Sequence, residues 1–145
     1  MDRPQGPVTV AVGDWPTQRE QAFAIRMAVF VQEQQLPEAD EIDAHDPLSI
    51  HALAFDAGRA VGTARLLPDA RIGRMSVLAD WRRSGVGGLL LERLVAIAAA
   101  RGDPIVELSA QVYVLDFYAR HGFEAFGPIY DDAGIAHQSM RRRLI

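Results

Sequence analysis

The chain has 145 residues and no cysteine, which excludes disulfides, thiolate metal sites and a cysteine acyl-enzyme. Its 49% hydrophobic and 23% charged residues fit an ordinary folded protein of one domain, residues 1–145, with a substantial core. A net charge of −4 argues against a nucleic-acid partner.

Residues 1–7 lack the charged-then-apolar layout of a signal peptide. The longest nearly apolar run, residues 95–100, is far below the roughly 20 residues of a membrane span. A cytoplasmic protein with no membrane partner is expected. In chain order, residues 8–12 read as a strand. Residues 18–35 read as a helix, because Ala22, Ile25, Val29 and Phe30 recur at helical spacing before Pro37. Residues 38–47 form an acidic loop, and a run such as Asp40, Glu41, Asp43 and Asp46 is usually solvated, although it could draw a cationic amine.

Residues 51–55 and 60–67 look like a hairpin turned at Asp56-Ala57-Gly58, followed by a strand over residues 71–78. Residues 85–101 make the clearest helix, with Val86, Leu90, Leu94 and Ile97 on one face and Gly102 as its stop. Residues 105–109 form a strand and residues 112–121 a short helix ended by Gly122. Residues 123–130 and 136–144 close the fold as an antiparallel pair whose outer edge is open to a homodimer contact. The strand–helix–strand unit over residues 71–109 implies one parallel pairing in an otherwise antiparallel sheet, so the fold class is mixed α+β.

The most informative segment runs from Arg74 to Gly88. An apolar strand end passes through a basic, glycine-rich turn into the longest helix. Gly85, Gly87 and Gly88 allow close backbone approach, and the helix start offers orphan N–H groups and the positive end of its dipole. Arg82 and Arg83 add positive charge. Together these features suit a diphosphate.

Arg82-x-x-Gly85-x-Gly87 between strand and helix resembles the acyl-CoA-binding motif of the GNAT superfamily of N-acetyltransferases. Phe117-Tyr118-Ala119-Arg120-His121-Gly122-Phe123 is similar to that superfamily's "FYxxxGF" segment. A finer resemblance is to the ElaA-like subgroup. It rests on Val29-Phe30-Val31-Gln32-Glu33-Gln34, followed by Asp40, Asp43 and His51, on Ala110-Gln111, and on Gly134-Ile135-Ala136-His137-Gln138-Ser139-Met140.

The resemblance implies a twisted, mostly antiparallel sheet with helices on both faces and a splay between strands 4 and 5. A pantetheine arm would lie in that splay, paired with backbone around Met75, Ser76 and Val77. The diphosphate would sit on N–H groups from Arg83 through Ser84, Gly85, Val86 and Gly87 to Gly88, beside Arg82. Gln111 and Phe117 complete the implied cofactor set, although many members carry Asn where this chain offers Ser109 and Gln111. Acetyl-CoA is the implied co-substrate, and no metal is expected, since the histidines show no ligand spacing.

Amide formation from a thioester needs a neutral amine, a polarised carbonyl and a proton for the departing thiolate. The resemblance puts Tyr118 near the sulfur. A phenol with a pKa of about 10 is protonated at neutral pH and can donate. The plainer alternative is a Tyr packed at a helix end. The base is open between His137, whose imidazole suits proton removal near neutrality, and Glu33, near the end of the first helix. Glu33 could instead attract an ammonium group. His51 could orient either group or bind substrate, and backbone N–H near Met75 or Val77 could hold an oxyanion. With no Cys, direct attack in a ternary complex is expected. The alternatives are an acyl-CoA-binding sensor with little catalysis, which would need neither Tyr118 nor His137, and a nucleotide-phosphate loop, whose Gly-Lys-Ser/Thr is absent.

Overall fold

The structure is a computed structural model that describes residues 8–35 and 44–145. The expectations for residues 1–7 and for Asp40, Glu41 and Asp43 lie outside the described residues. Seven strands form one sheet: β1 (Thr9–Gly13), β2 (Ile50–Asp56), β3 (Arg59–Leu66), β4 (Arg71–Val77), β5 (Ile105–Gln111), β6 (Glu124–Asp132) and β7 (Ile135–Arg143). Their spatial order is β1-β2-β3-β4-β5-β7-β6, and among the described residues only β4 and β5 pair parallel. Among the described residues three α-helices accompany them: α1 (Trp15–Arg26), α2 (Val86–Ala100) and α3 (Leu115–Ala119).

Helix α1 starts earlier than its apolar period suggests. Asp14 caps it by accepting from the Thr17 N–H at 3.0 Å, and Pro16 stands in the first turn, where its missing N–H costs nothing. Past Arg26 the chain widens into a π-helical segment, Met27–Glu33, a rare conformation that gathers at functional sites. The expected helix over residues 112–121 is shorter: a 3-10 turn at Val112–Val114 leads into α3.

Helix α2 buries Val86, Leu90, Leu91, Leu94, Val95 and Ala98 against the sheet, where Ala52, Ala54, Leu66, Ile72, Val106 and Leu108 meet them. On the other face Trp15, Ala22 and Ile25 of α1 cover Leu53. No helix among the described residues is long and apolar enough to cross a membrane.

Two irregularities open the sheet. Strands β4 and β5 pair only at Arg71↔Glu107 and Ile72↔Leu108, yet β4 continues to Val77 and β5 to Gln111. Beyond Ile72 the strands part and leave a wedge. Just past that apex, β4 bulges: Thr63 faces Ser76 and Arg65 faces Gly73, so Arg74 and Met75 together stand opposite Ala64. Arg74 takes a left-handed φ of 51° to do so, a conformation that costs an L-residue energy and gathers at functional sites.

Candidate active site

The wedge is the floor of a cleft of about 1450 Å³, beyond the usual range for one small ligand. Glu33, Met75, Ser76, Val77, Arg82, Arg83, Gly85, Gly87, Gly88, Gln111, Phe117, Tyr118 and His137 all line it. Residues far apart in the chain thus meet because two adjacent strands separate.

The glycine-rich turn is held open by its backbone. Arg83 (φ 61°) and Gly85 (φ 90°) are left-handed, and α2 begins without a side-chain cap. The first backward helical bond is Leu89 N–H to Gly85 O at 3.1 Å, so the N–H groups of Val86, Gly87 and Gly88 point out of the helix start. That donor set fits a diphosphate. The side chains of Val86 and Ser84 do other work: Val86 is wholly buried under the sheet, and Ser84 donates to Trp81 O. Any part these two play in binding is therefore carried by their backbone. Gly87 is tight for a different reason, since a Cβ there would stand 3.3 Å from Phe117 Cζ.

The Arg82 side chain spans the cleft mouth. Its Nη1 and Nη2 donate to Glu33 at 2.6 and 2.7 Å, while its Nε donates to Val77 O at 2.9 Å. Hydrogen bonding from Arg82 holds the Glu33 carboxyl below its ordinary range, against a smaller opposing effect of burial. One residue on, Gln34 exchanges amide hydrogen bonds with Gln111, and its Nε2 donates to the Tyr113 hydroxyl at 3.4 Å. The π-helical segment is thereby strapped to both arms of the wedge: Glu33 to the loop after β4, Gln34 to the end of β5.

Tyr118 lies in the wedge with its hydroxyl 3.9 Å from Met75 Sδ and its ring edge-on to Phe117. Burial, with a smaller effect from Tyr113, pushes its phenol up to about 12, so it stays protonated throughout the neutral range. His137 faces the cleft from β7, stacked on Tyr130 with 5.9 Å between centroids. Its Nδ1 lies 2.8 Å from Ile135 O. A carbonyl only accepts, so Nδ1 carries the proton and the neutral ring keeps a lone pair on Nε2. Tyr130 in turn shares a hydrogen bond with Ser109.

His51 is not in the cleft. It is 1% exposed, packed on Trp15 at 4.8 Å, with Nε2 donating to Asp46 O at 2.9 Å. It has no exposed surface to offer a substrate, and its place is in the core beneath α1. Asp46, expected in a solvated loop, is also fully buried. It accepts from Arg26 at 3.0 and 2.9 Å and from Arg65 at 2.9 Å. Nothing in the spacing of Arg26, Asp46 and Arg65 announces this cluster, nor the Gln34–Gln111 exchange. Both are made by chain segments that meet only in three dimensions.

The acetyltransferase (GNAT) domain family matches residues 16–144. The uncharacterized N-acetyltransferase YjcF of Bacillus subtilis is 35% identical over 86% of this chain and 92% of its own length. Among solved structures, an acyl-CoA N-acyltransferase from Pseudomonas aeruginosa superposes with a TM-score of 0.82 at 28% identity, over 94% of this chain and 99% of that one. Escherichia coli ElaA superposes at 0.84 with 27% identity, over 94% of this chain and all of that one. A splayed β4–β5 pair, an uncapped helix start and a partly buried phenol lining the same cleft agree with these likenesses: the chain belongs to the GNAT family of acyl-CoA-dependent acetyltransferases.

Proposed function

We propose that the protein moves an acetyl group from acetyl-CoA to a primary amine, by direct attack while both substrates share the cleft. The observation that carries this reading is Tyr118: a phenol held protonated beside Met75, in the same cleft as the open N–H groups of α2. In this reading the α2 start and Arg83 hold the diphosphate, and the edge of β4 from Met75 to Val77 that β5 leaves open, where Val77 O already accepts from Arg82, takes the pantetheine amides with its remaining groups. Tyr118 hands its proton to the leaving thiolate.

His137 is the base in this reading, because Nε2 is its free acceptor, whereas both Glu33 oxygens already receive hydrogen bonds from Arg82. Glu33 shapes the acceptor end. The chain acts as one acyl-transfer domain, with β6, the edge strand on the C-terminal side of the sheet, as the edge through which two copies would pair.

The test is Tyr118→Phe, followed by thiol release from acetyl-CoA across an amine panel. Turnover should fall about 100-fold, with acetyl-CoA affinity nearly unchanged. Wild-type turnover in Tyr118→Phe at every pH would remove Tyr118 from the chemistry. Binding of acetyl-CoA without thiol release on any amine would instead make the protein an acyl-CoA sensor.

A further inference from the structure

Gly73 sits inside β4, where glycine weakens a strand, directly before the Arg74–Met75 bulge, and the packing around it does not require a glycine. Its φ is outside the left-handed region that glycine alone adopts readily. No heavy atom of the described residues lies within 4 Å of where its Cβ would stand. Gly62 on β3 makes the contrast: a Cβ there would come within 3.0 Å of Leu90 and Val86, so packing requires that glycine. A strand glycine accompanies either a bulge or close approach by a ligand; the bulge residue here is Arg74, and Gly73 itself keeps an ordinary φ and faces the cleft.

The position of Gly73 says which part of a ligand. It is the first residue past Ile72↔Leu108, the last pair before the strands part, so it lies at the apex of the wedge. Val29, Phe30, Leu67, Ile72 and Leu108 border the same cleft; Phe30 is half-buried, and the other four are buried and reach it only with their edges. Two cleft arginines are drawn off by carboxylates, Arg65 to Asp46 at 2.9 Å and Arg71 to Asp69 at 2.8 Å. Met75, which faces the Tyr118 hydroxyl, is two residues along β4, at most about 7 Å of strand away.

We propose that this compartment receives the distal carbons of an acyl chain longer than acetyl, and that Gly73 sets the length accepted. The inference rests on the reading that Tyr118 and Met75 mark the thioester. A chain running from that point toward Ile72 and Leu108 passes over Gly73, and a side chain there would shorten the compartment.

Calorimetry with free CoA, acetyl-CoA, butyryl-CoA and hexanoyl-CoA tests it without knowledge of the amine. Wild-type protein should bind hexanoyl-CoA at least as tightly as acetyl-CoA. Gly73→Val, a residue suited to extended backbone, should weaken hexanoyl-CoA about tenfold and leave free CoA and acetyl-CoA unchanged. Gly73→Ala should fall between and carries the test if the valine variant does not fold. The proposal is overturned if wild type binds hexanoyl-CoA about tenfold more weakly than acetyl-CoA, or if the folded variants weaken the whole series equally or not at all. It is also overturned if they raise the KM of an accepted amine while sparing the acyl series, which would put the acceptor there. Absence of binding by free CoA and acetyl-CoA alike would sink the acyl-CoA reading itself.

Discussion

Two bidentate arginine–carboxylate pairs fasten the first helical region, and their surroundings give them opposite characters. Arg26 and Asp46 are 1% and 0% exposed, reinforced by Arg65, by His51 on the Asp46 carbonyl and by Trp15 under the Arg26 guanidinium. Arg82 and Glu33 make the same fork geometry at 39% and 43% exposure. Water screens the second pair and leaves it weak, whereas breaking the first strands charge in the core. One pair is therefore scaffold, anchoring α1 to the sheet. The other is a clasp between two residues that line the cleft, and it can part at little cost.

Asp46→Asn should produce the largest effect. It removes the carboxylate between two buried guanidinium groups and should cost about 3–5 kcal/mol, a large fraction of a typical domain's stability, read from urea unfolding. A loss below about 1 kcal/mol, the level of an exposed pair, would erase the distinction between the two pairs.

Acid titration sharpens it next. Burial holds the His51 imidazole below its ordinary range, against the raising effect of Asp46, so folding favours the neutral ring. That stabilisation is present above the unfolded pKa of about 6.5 and is lost as pH falls through the lower folded value. Burial pushes the Asp46 carboxyl up, but Arg26 and Arg65 more than offset it and leave it lowered. Its contribution is present above the unfolded pKa of about 3.9 and is lost in stronger acid. Melting temperature should therefore fall in two stages on acidification. The first should be missing in His51→Gln, and a single stage common to both proteins would count against the buried cluster as its source.

Glu33→Gln should be the mildest. Stability should change by less than about 1 kcal/mol, with the difference vanishing in high salt. Amide exchange along residues 29–34 should accelerate up to about fivefold. A global loss comparable to that of Asp46→Asn would mean that the clasp is part of the scaffold.

The same contrast explains what could be read in advance. Elements with strong local signals were legible: the apolar face of α2, the Asp56-Ala57-Gly58 hairpin and the glycine-rich turn all depend on residues near one another in the chain. Motif order also named many residues that border the cleft, from Met75 to Tyr118, although Ser84, Val86 and His51 are not among its lining. What escaped depends on contacts across long separations. The fastening of Glu33 by Arg82 bridges 49 residues, and that of Gln34 by Gln111 bridges 77. His51 looked like a cleft residue and is a core one, since strand alternation sends it to the face that α1 covers rather than to the open wedge.

The local sequence sets the strand–turn–helix unit whose open N–H groups suit a diphosphate, because backbone freedom at Gly85 and the orphan donors of a helix start are local properties. It also determined that Tyr118 follows that unit on a short helix. It took the assembled sheet to part β4 from β5 after Ile72, to bring Met75 beside the phenol past the Arg74 bulge, and to raise that phenol, already protonated at neutral pH, to about 12 by burial. Those depend on register and desolvation, quantities that exist only once distant strands have met.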